Sequence, residues 1–511
     1  MKKLFSFFNE HKKNEKSQST QKIGLPLNKI KLTSNLKDNS DKLKELFSYP
    51  TNIDFTIKDL YIKSLNKDAM LFYLNGMVKK EKIEEHIIKP LMWKNISIST
   101  KIPLSDIEKK ILTTIESNRF NNLKVISEDL LKGHVVVLID GYKEALSIVA
   151  TGFEYRNISK AENEVVIKGP HESFAESQEV NRSLIRKQLR NRNLITETLI
   201  IGETSSTDIS VMYIKDVTEP KLIENIKNRI KEIKVDGIKS VSILEQHIEE
   251  RPYSLFPSLL YTERPDRAAH FLKEGNIVIL SDNTPACLVA PATFWSFFHT
   301  AEDTYERWAY GNFLRIIRLF AIFISLLAPA SYIAMTNFHE ELIPLDLLIS
   351  IAGSRETVPF PALVEVLIME VSFELVREAG IRVPSPIGPT VGIVGALILG
   401  QAAVDANIVS PIMIIIVGIT AISSFAIADT SLNFSIRILR FGITALAATM
   451  GFIGISVGLI CLFAYMLSIK SFDVPYFSPL APYTKSPTNT ILRAPVWKRW
   501  LNPFKSNKKI K

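Results

Sequence analysis

Between residues 319 and 480 the chain is almost continuously apolar, whereas before it apolar and polar positions alternate in short runs bounded by turn residues. A helix needs about 20 apolar residues to cross the roughly 30 Å core of a bilayer. Four stretches meet that length: Leu319 to Met335, Ile387 to Val404, Ile408 to Ala428 and Phe441 to Ile469. Between the first two, Leu342 to Ala352 reads as a short apolar helix interrupted by Asp346, and Pro361 to Glu378 as a helix carrying Glu365, Glu370, Glu374, Arg377 and Glu378. At about 100° per residue, Glu370, Glu374 and Arg377 fall within roughly 60° of one another, while Glu365 sits some 140° from Glu370. Two readings fit this polar side. Either the helix lies in the interface with its acids solvated, or the carboxylates line a water-filled path, where a ring of them from several subunits would attract cations. Glu365, Glu370 and Glu374 are therefore candidates for a pore or gate.

The preceding half carries paired patterns. Asp68 to Leu74 followed by Val78 to Ile88 parallels Asp208 to Ile214 followed by Val217 to Ile226, at an offset of about 140. Leu131 to Asp140 parallels Leu272 to Asp282, aligning Gly133 with Gly275 and Asp140 with Asp282. Each copy predicts a strand, an amphipathic helix and a later strand pair turned at Asp140-Gly141 or Asp282-Asn283. An internal duplication into two small α/β subdomains, 47–165 and 195–295, follows. Residues 1–46 read as a flexible basic arm, 166–194 as a connecting segment, 296–480 as a transmembrane domain and 481–511 as a basic tail. In the connector, Arg182, Arg186 and Arg190 share a helix face that would meet an acidic partner, lipid headgroups or solvent. Small residues recur every four positions at Gly388, Gly392, Ala396 and Gly400, and again at Gly454 and Gly458. Both stripes are marks of close helix packing.

Charge sharpens the division. The chain's formal +9 resides in its ends, +6 over residues 1–46 and +8 over 481–511, while 319–480 sums to −5 and the rest to zero. A neutral folded half without a recognition motif argues against nucleic acid as a partner, and basic flanks of a membrane region point to anionic lipid. The apolar run Leu4 to Phe8 is too short for a signal peptide. The soluble half and the basic tail are therefore expected in the cytoplasm, which requires an even number of spans and puts Arg437 and Arg440 on the far side, against the positive-inside tendency. Two cysteines, Cys287 and Cys461, exclude a disulfide scaffold, and no Walker A, HExxH or cysteine-rich ligand spacing is present. The match to GxSxG at Gly454 to Gly458 lies inside an apolar helix, where no nucleophile elbow forms. No enzyme activity, cofactor or metal is expected.

Longer strings carry a resemblance: Lys168 to Ser177, reading KGPHESFAES, with Asn181 and Leu184 to Arg186; Gln246 to Ser254; Glu263 to Arg267 with Glu274-Gly275; Val358 to Glu365; Glu378 to Pro384; and Val474 to Tyr476. Together they resemble the A subunit of GerA-type spore germination receptors over nearly the whole chain after about residue 45. His171 stands within a motif of the form GP(R/H)ExF, and Ser281 to Pro285 departs from an Asp-Gly-x-Pro turn. The resemblance implies an α+β membrane protein: two similar cytoplasmic α/β subdomains, then a helical transmembrane domain of about four spans plus a partly embedded helix. It implies a nutrient-sensing complex in the inner spore membrane, with a transporter-like B subunit and a lipoprotein C subunit as partners. Homo-oligomers of the A subunit would form a gated cation channel that releases ions at germination. Gly169, Pro170, His171, Glu172 and Phe174 are then coupling candidates, and Gly392, Gly400, Gly454 and Gly458 helix-packing candidates. A sporulation-stage paralogue of AF type and a non-conducting membrane scaffold are the alternatives.

Overall fold

A computed structural model describes residues 27–63, 65–93, 103–112, 116–152, 161, 163–382, 388–483 and 490–495. Contacts divide the chain into two compact units, the first comprising residues up to 154 with 190–192 and the second the remainder.

The first unit starts with α1 (Leu36–Leu46), capped by the Asn35 side chain, which accepts from Lys37 N–H and Asp38 N–H. Its sheet contains β1 (Phe55–Ile62), β2 (Lys67–Leu74), β3 (Ser117–Phe120), β4 (His134–Ile139) and β5 (Ala145–Val149) in the order β1-β2-β4-β5-β3, antiparallel throughout. One face is covered by α1 and by α5 (Leu123–Leu130), with Phe47, Phe55 and Phe72 stacked beneath. The other face takes α2 (Lys80–Ile83), a π turn at Glu84–Ile88, α3 (Lys89–Trp93) and α4 (Leu104–Lys110).

The second unit repeats this plan. Its strands β6 (Leu194–Ile201), β7 (Thr207–Ile214), β8 (Leu260–Thr262), β9 (Ile277–Ser281) and β10 (Cys287–Ala290) are ordered β6-β7-β9-β10-β8. The helices are α6 (Gln178–Gln188), α7 (Pro220–Glu232), α8 (Val241–Ile248) and α9 (Pro265–Glu274). The repeat extends to single side chains. Asn39 closes a two-bond clamp on the Thr33 backbone, at 2.9 and 2.7 Å, and Asn181, 142 residues later, closes the same clamp on Ala175 at 2.7 and 2.6 Å. Leu36 N–H donates to the Asp140 carboxylate and Gln178 N–H to that of Asp282, again 142 residues apart. Gly133, in the turn after α5, and Gly275, the C-cap of α9, both have positive φ, +86° and +98°, a conformation that favours glycine because a Cβ there meets the backbone.

These correspondences correct two expected boundaries. Residues 36–46 belong to a helix of the first fold rather than to a flexible arm. The connecting segment supplies α6, the equivalent helix of the second. The arginine stripe is corrected with it: Arg186 is buried and donates to Leu194 O and Thr196 Oγ1, so it faces the sheet and not solvent. Residues 1–26 and 496–511, including most of the basic ends, lie outside the described residues.

After β10 come α10 (Phe294–Phe298), α11 (Glu302–Tyr305), α12 (Trp308–Phe338), α13 (Leu345–Arg355), α14 (Ala362–Arg382), α15 (Gly388–Asp405), α16 (Pro411–Phe425) and α17 (Thr430–Ser468). Among the described residues, α12 and α17 are long and apolar enough to cross a membrane. Helix α17 is not one rod. At Gly451 the backbone adopts φ 60°, ψ −138°. Ser435 on one side of it bonds Leu255 O, while Tyr465 on the other bonds Ser254 Oγ at 3.1 Å. Thirty residues of straight helix would separate those points by about 45 Å. The segment is a helical hairpin with arms 430–450 and 452–468, and Gly451 at its tip packs on Phe338, the last residue of α12. The expected span from Phe441 to Ile469 is therefore corrected: it runs up, turns at Gly451 and returns.

Candidate functional site

The acidic helix α14 begins after Pro361, whose carbonyl accepts from Glu365 N–H at 3.1 Å. Its first turns pack with Tyr332 and Ile333 of α12 and with Val409 and Met413 at the start of α16, at the end of the bundle remote from the second sheet. Its last turns approach Ser424 and the beginning of α17, at the sheet end. The helix thus runs from one end of the bundle to the other.

Glu365 is fully buried. One carboxylate oxygen accepts from Ser410 N–H at 3.1 Å and the other lies 3.4 Å from Arg355 Nε, tying together the ends of α13, α14 and α16. Glu370, also buried, sits 3.0 Å from Arg440 Nε. Glu374 meets Arg437, Arg440 at 3.4 Å and Arg377 at 3.5 Å. Arg377 in turn donates to Ser424 Oγ at 3.0 Å and lies over the Phe425 ring. Glu365 therefore has a different environment from Glu370 and Glu374, as its angular separation predicts. All three carboxylates are engaged within the chain. Two acids and three arginines form the inner cluster, which leaves one positive charge in excess. Ionisable groups at this depth persist only when so paired.

Sequence reasoning missed Arg437 and Arg440 as partners and placed them across the membrane from the soluble half. The structure corrects that: Ser435, two residues before Arg437, bonds the Leu255 carbonyl in the loop before β8, so both arginines lie at the sheet end. The signal was present, since two arginines at i, i+3 in an apolar helix demand acidic partners.

The coupling candidates lie where the second sheet meets the base of α12. Gly169 has φ +118°, and a Cβ there would clash with the Tyr305 ring. Pro170 O accepts from Arg264 Nη2 at 2.8 Å. His171 is exposed, Glu172 pairs with Lys187, and Phe174 is buried with its N–H on Glu263 O at 2.8 Å. Lys168 reaches Glu306 at 3.1 Å, two residues before α12 begins. Next to this strap His299 is held neutral: burial, aided by the Arg315 charge, lowers its pKa to about 3, and it donates from Nε2 to Thr490 O. Of the packing glycines, Gly454 and Gly458 face Leu446 and Ile443 of the other hairpin arm, and a Cβ at Gly454 would strike the Leu446 carbonyl. Gly400 is in ordinary contact distance of Ile414. Gly392 lies on α15, but its surroundings fall outside the described residues. No group of three or more metal-ligating side chains occurs among the described residues.

Residues 41–504 match the model of a family described as Bacillus/Clostridium GerA spore germination protein. The chain belongs to the GerA family. Like other GerA members it aligns over most of its length with curated relatives. It is 41% identical to spore germination protein KA of Bacillus subtilis over 84% of this chain and 78% of that protein. It is 34% identical to spore germination protein GerLA of Bacillus cereus, over 89% and 92%. The uncharacterized membrane protein YfkQ of B. subtilis shares 37% identity over 92% and 93%. A crystal structure of the N-terminal domain of the A subunit of the Bacillus megaterium spore germinant receptor GerK3 matches 52% of this chain and 97% of that domain, at 28% identity and a TM-score of 0.42.

Proposed function

We propose that this GerA-family chain is the A subunit of a nutrient-responsive germinant receptor in the inner spore membrane, working with a transporter-like B subunit and a lipoprotein C subunit. Six helical segments cross the bilayer in this reading: α12, α14, α15, α16 and the two arms of α17. Their alternating direction supports it, and so does the location of Arg437 and Arg440, which joins the basic tail on the cytoplasmic side and removes the conflict with the positive-inside rule. Both termini remain inside.

The observation that carries the mechanism is the engagement of Glu370 and Glu374 by Arg440 and Arg437. Subunits assemble around α14, and at rest the arginines neutralise the carboxylates that would otherwise attract cations. Germinant held by the B subunit favours a state in which the pairs part, acting only through its differential affinity for the two states. The segment from Gly169 to Phe174 transmits the movement from the second sheet to α12. One feature favours a second reading: because every one of these acids is engaged inside the chain, a non-conducting scaffold would use the cluster only for rigidity.

Planar-bilayer recording of the purified complex separates the two. A cation-selective current that rises with nutrient, with raised basal current in Arg437→Gln, is expected of the channel. An assembled complex that passes no current in either form establishes the scaffold.

A further inference from the structure

The charged cluster between α14, α16 and α17 has a sealed part and an open rim. Glu370 and Arg440 form the sealed part, with side chains 1% and 4% exposed, and their charges balance. Glu374, Arg377 and Arg437 form the rim, at 22%, 16% and 15%. The positive charge in excess therefore belongs to the rim, where two guanidinium groups share one carboxylate. Glu374 Oε1 lies 3.5 Å from Arg377 Nη1 and 2.9 Å from Arg437 Nε, so the two arginines stand side by side. The acids next along these helices are engaged elsewhere: Glu378 is held by Arg382 at 2.7 Å, and Asp429 caps α17 by accepting from Leu432 N–H at 3.0 Å.

The rim keeps donors to offer. Arg437 directs Nε and Nη2 at Glu374, and Arg377 directs Nη1 at Glu374 and Nη2 at Ser424 Oγ. Arg437 Nη1 and Arg377 Nε remain, and neither is sealed from the surface. Each guanidinium also lies over an exposed ring, Arg377 over Phe425 at 5.0 Å and Arg437 over Phe434 at 5.2 Å. One helical turn farther from the sheet end, Ile422 beside Phe425 and Ile438 beside Phe434 are exposed too. Arginine over an aromatic ring, with apolar surface leading away from it, suits the headgroup level of a bilayer. The position along the bundle agrees, because Ser435 next to this rim bonds Leu255 O in the loop before β8.

We propose that this rim binds an anionic phospholipid of the leaflet on the sheet side, whose phosphate accepts from Arg377 and Arg437 while its acyl chains lie along Phe425 and Ile422 and along Phe434 and Ile438. The excess positive charge selects a headgroup of net negative charge over a zwitterionic one. An occupant joins α14, α16 and α17 at their sheet ends. The site requires that these three helices cross the bilayer, as in the function proposed above, and does not depend on conduction.

The test is native mass spectrometry of the full chain released from nanodiscs of equal parts phosphatidylcholine and phosphatidylglycerol, once insertion into the discs is verified. The expected result is one phosphatidylglycerol retained per chain in preference to phosphatidylcholine. Retention should fall at least about fivefold in Arg377→Gln, recover in Arg377→Lys and stay unchanged in the exposed-site control Arg382→Gln. Arg377→Gln leaves Glu374 paired with Arg437, so no carboxylate is stranded. Phe425→Ala removes a ring without altering charge and should also lower retention, which keeps a second variant in hand if the first unfolds. Equal retention of the two lipids by an inserted chain, equal retention by wild type and Arg377→Gln, or displacement of the lipid by excess inorganic phosphate overturns the proposal. So does a lipid-free dimer, in which a second copy covers the rim. A chain that fails to insert overturns the spanning reading along with it.

Discussion

The two sheets share an order and a set of clamps, yet they finish their cores differently. In the first, the face under α1 and α5 closes on itself with Phe47, Phe55 and Phe72. In the second, the equivalent face under α6 and α9 continues through Phe256, Trp295, Phe298 and Tyr476 into Ile322 and Leu326 of α12 and Ile436 of α17. The same divergence occurs at one helix start. Asn122 caps α5 conventionally, accepting from Lys124 N–H at 2.9 Å. The residue 142 positions later is Arg264, which is buried and donates instead to Glu164 O at 3.2 Å, Pro170 O at 2.8 Å and Asp266 at 2.9 Å. The repeat thus contains one copy that closes on itself and one whose capping position holds the segment from Glu164 to Pro170.

The largest effect should separate those two positions. Arg264→Ala leaves the Asp266 carboxylate buried without its partner and should destabilise the second unit by about 3–5 kcal/mol, whereas Asn122→Ala should remove about 1 kcal/mol from the first. Urea unfolding followed by hydrogen exchange in β4 and β9 distinguishes the units; comparable losses would mean that Arg264 serves only as a cap. Next, Asn39→Ala and Asn181→Ala each delete two hydrogen bonds from a buried clamp and should weaken their own units by a similar ~2 kcal/mol. A marked inequality would show that the clamps are not equivalent.

The last effect concerns pH, and it has opposite signs in the two copies. Burial, with the charges of Glu249 and Asp429 added, raises Glu245 on α8 to about 8. Its folded form keeps a proton that the unfolded chain releases, so the second unit loses stability as pH rises from about 4.5 to about 8. Burial lowers the pKa of His134 in β4, outweighing the nearby Asp129. There the unfolded chain takes up a proton that the folded one refuses, so the first unit loses stability as pH falls below about 6.5. Glu245→Gln should flatten the first slope and His134→Asn the second, each read against wild type at the same pH by protection of β9 and β4. A slope unaffected by its own substitution would refute the assignment.

The duplication and the turns at Asp140-Gly141 and Asp282-Asn283 were legible because strands near a core carry dense apolar patterns and turns demand particular residues. Gly141 and Asn283 indeed have φ of +84° and +59°. Helix α1 was not legible, and α6 was legible as a helix but not as part of the second fold: polar residues such as Asn39 and Asn181 are satisfied by backbone groups that only the fold brings near, so the two segments read as arm and connector. The hairpin was hidden for a related reason: one glycine at positive φ reverses an apolar run without altering its composition. The spacing of Gly454 and Gly458 showed that two helices approach closely, but not that both belong to the same stretch. For the acidic helix, periodicity separated Glu365 from Glu370 and Glu374. What it could not supply was the other side of each contact, because Arg355, Arg437 and Arg440 come from other helices that only the fold brings beside it.

The reversal at Gly451 has a consequence beyond helix count. It returns the chain to its starting level, and Arg493 can then bond Asn312, N–H to Oδ1 at 2.7 Å, with Asn312 Nδ2 answering its carbonyl at 3.2 Å. The pair of bonds closes the stretch from 312 to 493 on itself, and His299, donating to Thr490 O, adds a second tie beside it.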